Sequence, residues 1–460
     1  MRALLTSIGS TGDINPFIAL GLELKRRGHD PLLVVNPYFK ETVEAAGLAF
    51  EPLGEYVSAA DFAIDMPAAF GRFWGPLVVF RRLFVPVVPE MVETIRSAAV
   101  RHKSEVLIGH HVSLGLPWVA HELGLPWATC VLSPATLISL EDPSRMPVGL
   151  DLHRMPMWYR RFAHALQRTT ARVMFERPLR KQRRARGLPP CRDIFWGEML
   201  SGDAVIGLWS PLLRPRAGDD PPTLSVCGFP WFDRKAQYGE HGRRLDPAIA
   251  RFLDDGAPPV VFTLGSVLSH VRAREFAAAS EACRILGVRG LLVTGRPDTA
   301  PPAASLPPGV MCVDYAPYGE LLHRGAVTVH HGGVGTTAQA LRAAKPTVIM
   351  PFAHDQFDNA ARAERLGVSL TLPPGRRSAR RLASAVSAVL GSPDMLRRAS
   401  EVGGSIARED GVGWAAKVIE GVVSARSGRE QPSQDHAVAS GQGPALADRS
   451  HQPRSPCVST

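Results

Sequence analysis

The sequence predicts an α/β protein with two Rossmann-like domains, each built around a parallel sheet. At 460 residues the chain exceeds the usual size of a single hydrophobic core. A strand-helix-strand rhythm, which is typical of parallel sheets, occurs near the start and again in the second half. Between the two repeats, residues 214–222 are rich in Pro, Gly and Asp, which indicates a linker.

In the first repeat, a proline in the first turn and Gly28 after the last turn mark the first predicted helix, and Gly47 ends the second. In the first repeat we predict strands over residues 2–8, 31–35 and 48–53, and helices over residues 16–27 and 39–46. In the second we predict strands over residues 259–264, 290–294, 326–329 and 346–350, and helices over residues 274–286 and 336–344. The predicted domains are residues 1–220 and 221–425, followed by a disordered tail over residues 426–460.

The net charge of +10 is concentrated in one segment. Between Arg154 and Arg186 lie eleven Arg or Lys residues and one acid, so the rest of the chain is close to neutral. Two interpretations are open: a basic helix that contacts anionic membrane lipids, or a solvated Arg-rich helix face. We expect no nucleic-acid binding, because no recognised binding motif accompanies the segment. Its apolar residues at helical spacing are Trp158, Phe162, Leu166 and Val173.

The remaining composition indicates a cytoplasmic protein, with peripheral contact at the inner face of the membrane as an open alternative. The first residues lack the long apolar core of a signal peptide. The longest apolar stretch, residues 70–88, is interrupted by three arginines and is too polar to cross a membrane. The six cysteines form no C-x-x-C pair, which favours a reducing compartment.

A glycine-containing loop with the sequence GSTGD joins the first predicted strand to the first predicted helix. Ligands bind at this edge of a parallel sheet, where glycine admits them to the backbone and the helix N-terminus favours negative charge. Ser10, Thr11 and Gly12 are therefore candidates for ligand binding. Asp13 has two interpretations that the sequence leaves balanced: a helix-capping residue, or a general base at the edge of a cleft.

The sequence HHGGVGTT over residues 330–337 is a stronger signal, again between a predicted strand and a predicted helix. Backbone N–H groups, two hydroxyls and the helix dipole converge there, which suits a diphosphate. The alternative is a tight turn with no ligand, and the Gly-Lys-Ser/Thr ending of a P-loop is missing. The candidate residues are His330, Gly332, Gly333, Gly335 and Thr336.

Three further loops follow predicted strands of the second repeat, and so gather at the same edge of its sheet. Asp355 and Gln356 can accept and donate hydrogen bonds to sugar hydroxyls, although a helix cap is the alternative. Thr263 and Ser266 can reach a phosphate, and Tyr315 offers an aromatic face to a base. The loop that carries Asp13 belongs to the first sheet, so the two edges form a cleft between the domains.

An apolar, aromatic stretch in the first domain provides candidates for a second ligand. Its residues are either the core of a buried helix or the lining of a groove for a lipid, sterol, hydroxy fatty acid or polyketide-like molecule. The candidates are Phe70, Phe73, Trp74 and Phe80.

Taken in sequence order, these motifs resemble glycosyltransferase family 1, and more narrowly its bacterial and sterol-glucosyltransferase branch. The resemblance rests on residues 9–13, 263–266, 315–317, 330–337 and 355–356. The sequence is also similar to the rhamnosyltransferase of rhamnolipid synthesis around residues 262–266 and 353–359. The resemblance covers residues 1–425 and implies a GT-B fold, in which two Rossmann-like domains face each other across a cleft.

The resemblance also implies an inverting transfer of a hexose from a UDP- or dTDP-sugar to a hydroxyl of a lipophilic acceptor. By that resemblance Asp13 deprotonates the acceptor, His330 and the glycine-rich backbone after it hold the diphosphate, and Asp355 and Gln356 hold the sugar. The other candidates in the two glycine loops, with Thr263, Ser266 and Tyr315, complete the donor site. No Asp-x-Asp pair occurs in the sequence, so we expect no metal and no other cofactor.

Two other functions are compatible with the same motifs. A nucleotide-sugar epimerase can share the fold, and it would form its product without an acceptor. A non-catalytic partner subunit would bind no donor, which the intact loop over residues 330–337 argues against.

Overall fold

The computed structural model describes residues 1–58, 61, 67–71, 75–145, 151–191, 193–232 and 244–429. The elements confirm an α/β fold with two parallel sheets, of seven and six strands. Within the described ranges no helix combines the length and apolarity needed to span a membrane.

The first sheet has the strand order β3-β2-β1-β4-β5-β6-β7, and every neighbouring pair is parallel. This is the doubly wound order of a Rossmann fold. Successive strands are added towards one edge of the sheet up to β3 and towards the other edge from β4 onwards, so the order reverses between β1 and β4. The strands are β1 (Arg2–Thr6), β2 (Asp30–Val35), β3 (Ala49–Pro52), β4 (Val106–His110), β5 (Trp127–Val131), β6 (Ala204–Gly207) and β7 (Leu224–Val226).

The second sheet repeats this arrangement with the order β10-β9-β8-β11-β12-β13, again parallel throughout. Its reversal lies between β8 and β11, the counterparts of β1 and β4. The strands are β8 (Val260–Thr263), β9 (Gly290–Val293), β10 (Val310–Val313), β11 (Val327–His330), β12 (Thr347–Ile349) and β13 (Ser369–Thr371).

Helices cover both faces of each sheet. Those of the first half are α1 (Thr11–Arg26), α2 (Lys40–Ala45), α3 (Gly75–Val79), α4 (Val85–His102), α5 (Leu116–Leu123), α6 (Met157–Ala171) and α7 (Arg177–Ala185). Those of the second half are α8 (Pro247–Asp254), α9 (Gly265–Leu268), α10 (Ala273–Leu286), α11 (Tyr318–Leu321), α12 (Val334–Arg342), α13 (Gln356–Arg365), α14 (Ala379–Leu390), α15 (Pro393–Ile406) and α16 (Gly411–Arg429). Single π-helical turns, Phe80–Phe84 and Arg172–Glu176, join α3 to α4 and α6 to α7.

The chain crosses between the two domains more than once, so no single linker separates them. The predicted boundary at residue 220 falls just before β7, which is still a strand of the first sheet. Helix α16 returns to the first domain, where Ala415, Ala416 and Ile419 are buried in the core beside α1. The helix is still regular at Arg429, so residues 426–429 are helical and not part of a disordered tail.

A shared core and a buried ion network hold the two domains together. Trp209 and Phe229 of the first domain pack in one cluster with Leu341 and Ile349 of the second. Asp142 accepts a hydrogen bond of 2.7 Å from Arg362 on α13 and lies 2.9 Å from Nε of Arg214. Both arginines are almost fully buried, so these contacts fix how the two strand edges face each other.

Candidate functional site

One cavity of about 1030 Å³ lies where the carboxyl edges of the two sheets meet. Loops from both points of reversal line it, after β1 and β4 in the first sheet and after β8 and β11 in the second. Ligands of open α/β sheets bind at such points, because adjacent loops there diverge to opposite faces and leave a crevice. The cavity combines two crevices of this kind.

Asp13 is the third residue of α1, and it caps that helix. Its Oδ2 accepts hydrogen bonds from the backbone N of Ser10 at 2.7 Å and from Ser10 Oγ at 3.0 Å. Ser10 Oγ in turn accepts from the N of Gly12 at 3.3 Å, which completes a capping box. The capping interpretation of Asp13 is therefore confirmed, and α1 begins five residues before the predicted helix because of it.

The loop before Asp13 is shaped around its carboxyl group. Gly9 has a φ of +132°, and a Cβ at this position would lie 2.3 Å from Asp13 Oδ2. Only glycine leaves room for the carboxylate above the loop. Asp13 is partly buried and lines the cavity, so the same side chain that caps α1 also faces a ligand.

Burial raises the pKa of Asp13 above its ordinary value, while the hydrogen bonds from Ser10 and the nearby His354 act in the opposite direction. Burial also raises the pKa of Asp355 to about 6, and the charge of Asp13 adds to this shift. A carboxylate with a raised pKa is a stronger proton acceptor. The electrostatics therefore couple Asp13 to two residues of the second domain.

The two adjacent histidines of the glycine-rich loop have different positions. His330 is the last residue of β11, paired with Thr263 of β8 and Ile349 of β12, and it is fully buried. Its Nδ1 accepts from the N of Gly332 at 3.2 Å. His331 lines the cavity, whereas His330 and Gly332 are not among the described residues that do.

The reason for this difference is the length of β11. The sequence pattern ended the strand at residue 329, but the strand continues through His330, whose side chain is buried. The next residue, His331, is the first one that faces the cavity. Glycines surround it closely: a Cβ at Gly265 or at Gly333 would lie 2.4 Å from its ring.

The N-terminus of α12 is open towards the cavity. Its N-cap is Gly333, which provides no capping side chain, and Gly333, Gly335 and Thr336 line the cavity. The first N–H groups of an uncapped helix have no partner within the helix, and its dipole favours negative charge there. The hydroxyl of Thr337 donates to the carbonyl of Gly333 at 3.0 Å, so it supports the turn instead of facing a ligand.

Asp355 and Gln356 both line the cavity at the start of α13. Gln356 Oε1 accepts from the backbone N of Phe352 at 2.8 Å and of Ala353 at 3.1 Å, so its amide nitrogen is the group left for a ligand. Asp355 Oδ2 accepts from Asn359 Nδ2 at 2.9 Å, and the same nitrogen donates to the carbonyl of Gly332 at 2.9 Å. Asn359, fully buried, thus fixes Asp355 relative to the glycine-rich loop.

The loop after β8 closes the other side of the second sheet's crevice. Thr263 Oγ1 and Tyr318 Oη are 2.5 Å apart, and Thr263 Oγ1 also accepts from the N of Gly265 at 3.3 Å. Ser266 and Tyr315 line the cavity beside them. The hydroxyl of Thr263 is therefore engaged in positioning the loop, which leaves Ser266 as the freer hydroxyl of the pair.

The first domain provides an apolar wall. The ring of Phe80 packs edge-on against Phe84 at 5.2 Å and against Phe195 at 4.7 Å, and all three line the cavity. Of the other predicted acceptor residues, Phe73 and Trp74 lie outside the described residues. The backbone of Phe70 is described, in a 3-10 turn, but its side chain is not.

Most sequence-predicted residues meet in this one cavity. Those that line it are Ser10, Thr11, Gly12, Asp13, Phe80, Thr263, Ser266, Tyr315, Gly333, Gly335, Thr336, Asp355 and Gln356. Sequence reasoning missed His331 and His354 as lining residues, although both lie inside the loops it selected.

It also missed the carboxyl end of β4, where His110, the last residue of the strand, and His111 line the cavity. Burial lowers the pKa of His110 to about 3 and that of His111 well below its ordinary value, so both rings are neutral near pH 7. His111 Nε2 lies 3.3 Å from Thr136 Oγ1. The rule that selected the other strand ends would have found this pair, had β4 been recognised in the sequence.

The sequence matches two family descriptions, one in each domain. Residues 3–137 match the glycosyltransferase family 28 N-terminal domain, and residues 291–410 match the C-terminal domain described as erythromycin biosynthesis protein CIII-like. The chain is 30% identical over 449 residues to an O-mycaminosyltylonolide 6-deoxyallosyltransferase of Streptomyces fradiae, a match that covers 94% of this chain and 100% of that protein. This protein belongs to the glycosyltransferase family that combines these two domains.

Two further similarities extend this result. The glycosyltransferase is 24% identical to a sterol 3-beta-glucosyltransferase of Arabidopsis thaliana, over 90% of this chain and 67% of that protein. Its fold matches a Streptomyces sp. SF2575 glycosyltransferase solved with thymidine diphosphate, with a TM-score of 0.60, 18% identity, and coverage of 92% of this chain and 99% of the other. The GT-B fold expected from the resemblance is thereby confirmed.

Metal binding has no candidate site in the part of the chain that the structure describes. No group of three or more His, Cys, Asp or Glu side chains is placed there to hold an ion. The metal-free mechanism therefore stays a prediction, which a binding measurement can test.

Proposed function

We propose that this glycosyltransferase transfers a hexose from a UDP- or dTDP-sugar to a hydroxyl of a lipophilic small molecule, with inversion at the anomeric carbon. The observation that carries the proposal is a single cavity lined both by Asp13, at the start of α1 in the first domain, and by the uncapped N-terminus of α12 in the second. Inversion requires a base on one side of the sugar and a site for the leaving group on the other. The two domains supply one each.

In this proposal Asp13 is the catalytic base. Both hydrogen bonds from Ser10 go to Oδ2, so we assign Oδ1 to the acceptor hydroxyl. As the hydroxyl oxygen bonds to the anomeric carbon, its proton moves to Asp13, whose raised pKa favours that transfer.

The bond between the anomeric carbon and the phosphate oxygen breaks in the same step, and its electron pair leaves with the nucleoside diphosphate. The N–H groups at the start of α12 stabilise the charge that develops there. We assign His331, in place of His330, to the same task, because His331 is the one of these two adjacent histidines that lines the cavity. Burial lowers its pKa to about 4, so it acts as a neutral N–H donor.

Asp355 and the amide nitrogen of Gln356 would bind hydroxyls of the transferred sugar. Their positions at the start of α13, beside the glycine-rich loop, support this assignment. Asn359 acts as a positioning residue, because it holds Asp355 and the carbonyl of Gly332 with one amide group.

The aromatic wall around Phe80 supports a lipophilic acceptor. Two similar proteins are named for acceptors of this chemistry, one for a sterol and one for O-mycaminosyltylonolide. A thymidine diphosphate complex of a protein of the same fold supports a dTDP- or UDP-sugar donor. We also propose that protein groups alone neutralise the diphosphate and that the reaction takes place in the cytoplasm.

The deciding experiment is thermal stabilisation of the purified protein by UDP, dTDP, GDP and ADP, first with EDTA and then with Mg²⁺. A ligand that binds only the folded state adds about 2.7 kcal/mol of stability at 100 times its Kd, which raises the melting temperature. We expect UDP or dTDP to stabilise the protein in EDTA, and Mg²⁺ to add nothing. A response that required Mg²⁺ would overturn the metal-free mechanism, and no response to any nucleotide would overturn the donor site.

An epimerase of the same fold is separated from a transferase by its product. Incubation with the donor alone should leave the sugar configuration unchanged in the transferase. Conversion of the donor to an epimer without an acceptor would replace the proposed function.

A further inference from the structure

Helix α6 exposes an apolar stripe to solvent. Its members are Trp158, Phe162, Leu166 and Val173, which are 68%, 59%, 56% and 65% exposed. The first three are four residues apart and therefore lie on one face of the helix, and Val173 follows in the π-helical turn. Four large apolar side chains in one row are uncommon on a surface that contacts only water.

The opposite face of α6 forms part of the cavity wall. Gln167 and Ala171 line the cavity wall, and His164 is buried beneath the helix. The helix is thus held in place on one side, and the exposure of the stripe is not a consequence of a detached segment. A molecule bound to the stripe would lie next to the wall of the acceptor side of the cavity.

The basic charge of this region divides into internal and exposed groups. Arg168 and Arg172 pair with Asp193, Arg180 with Glu176, Arg183 with Glu198, and Arg186 with Glu93 and Glu122. These contacts stabilise the domain, and they involve five of the eleven basic residues of the segment.

Four other exposed cations of the segment form no such pair, whereas Arg154, also exposed, lies 3.5 Å from Asp151. Among the described residues, no carboxylate forms an ion pair with Arg161, Arg177, Lys181 or Arg184. A surface crevice brings two of the features together, since Val85, Val173 and Met174 line it with Arg81 and Arg177. The apolar stripe is therefore bordered by positive charge that has no internal partner.

We propose that the apolar stripe and these four exposed cations dock the glycosyltransferase on an anionic lipid bilayer. Aromatic and aliphatic side chains on one face of a helix enter the interface, while flanking Arg and Lys residues contact lipid phosphates. A second copy of the protein is a poorer occupant, because a twofold interface would place the same cations opposite one another. The docking is independent of the sugar and the acceptor.

The test is co-sedimentation of the full-length protein with vesicles of phosphatidylcholine containing phosphatidylglycerol, compared with vesicles of phosphatidylcholine alone. Two variants probe the surface: Trp158→Ser with Phe162→Ser and Leu166→Ser, and Lys181→Gln with Arg184→Gln. Matched controls lie elsewhere at similar exposure: Leu390→Ser with Leu396→Ser and Trp414→Ser, and Arg380→Gln with Arg381→Gln.

We expect binding to the anionic vesicles only, a loss of about tenfold or more in the apolar variant, and about fivefold per removed charge. The controls should bind as the parent does, and turnover of a water-soluble acceptor should be unchanged in every variant. Absence of vesicle binding, or equal loss in the controls, would overturn the proposal. If the apolar variant instead turned a dimer into a monomer in light scattering, a second copy would be the occupant.

Discussion

The strand-to-helix loops after β1 and after β11 both lie where the strand order of their sheet reverses, yet the helix N-termini that follow them differ. The first loop closes the N-terminus that follows it, because Ser10 and Asp13 cap α1 with their own side chains. The second leaves it open, because the N-cap of α12 is a glycine with no side chain to bind the N–H groups. A closed N-terminus presents a carboxylate, and an open one presents donors for an anion.

This difference assigns the tasks of the two domains. Repeating one fold places two helix N-termini at one cavity, and both would attract anions if both were open. Capping α1 with a charged residue makes its end repel a diphosphate and converts it into a site for a base. Two changes test this division of roles: removing the charge from the loop after β1, and adding a charge to the loop after β11.

The largest effect is expected from Asp13→Asn. The amide keeps an oxygen that can accept from Ser10 and so preserves the cap, but it cannot take a proton. We expect kcat/KM to fall by roughly 10²–10⁴-fold, with nucleotide binding and melting temperature nearly unchanged. Turnover of the variant within a few-fold of the parent would remove Asp13 as the base.

Next comes Gly335→Asp, which gives the open helix a carboxylate of its own. A Cβ at Gly335 meets nothing within 4 Å, so the side chain fits. The charge should stabilise α12 by about 0.5 kcal/mol through the helix dipole. The same charge should weaken nucleoside diphosphate binding by roughly 100-fold, because like charges in contact cost several kcal/mol.

The matched control is Gly335→Ala, which adds the Cβ without the charge. It should stabilise the helix and keep most of the affinity, as measured by titration calorimetry. Equal losses for Ala and Asp would mean that space, and not charge, excludes the ligand. The diphosphate assignment at α12 would then be unsupported.

A smaller effect is expected from Asp355→Asn, which tests the shared electrostatics of the cavity. The folded pKa is about 6, against an ordinary value of 3.8, so the folded protein holds this proton more tightly than the unfolded chain does. The contribution of Asp355 to wild-type stability therefore falls as pH rises from about 4 to about 6, and the neutral amide avoids this loss. We expect the variant to gain about 3 kcal/mol over wild type at pH 8 and nothing at pH 3.

Chemical denaturation across this pH range measures the gain, with Asp255→Asn, at an exposed position, as the control variant. A constant difference between Asp355→Asn and wild type would mean that the pKa of Asp355 is not raised. The stability gain should come with weaker donor binding, since the same carboxylate is proposed to hold the sugar.

Strands followed by glycine were recognisable in the sequence, and the loops after them were predicted correctly. The prediction failed where the exact last residue of a strand decides which side chain lines the cavity. The alternation of elements was enough to predict two parallel sheets, although it located only three of the seven strands of the first and four of the six strands of the second. The ends of the predicted strands were enough for most of the cavity. The prediction placed His330 in the loop because β11 was ended one residue early, and that residue decides which histidine meets the ligand. His110 was missed because no strand was predicted between residues 53 and 259, and β4, which follows α4, lies in that interval.

The smallest effect separates the two roles of the closed loop. Ser10→Ala removes one hydrogen bond to Asp13 Oδ2 and the cap on Gly12, which should cost about 1 kcal/mol in denaturation. Ser392→Ala is a matched control, since Ser392 caps α15 by accepting from the N of Met395 at 3.2 Å and is not a cavity residue. Both variants should lose similar stability. Only Ser10→Ala should move the acidic limb of the pH–rate profile to higher pH, because a hydrogen bond that lowers the pKa of Asp13 is gone. If both variants kept the wild-type profile, the serine would be a cap and nothing more, and the coupling between capping and catalysis in this loop would be absent.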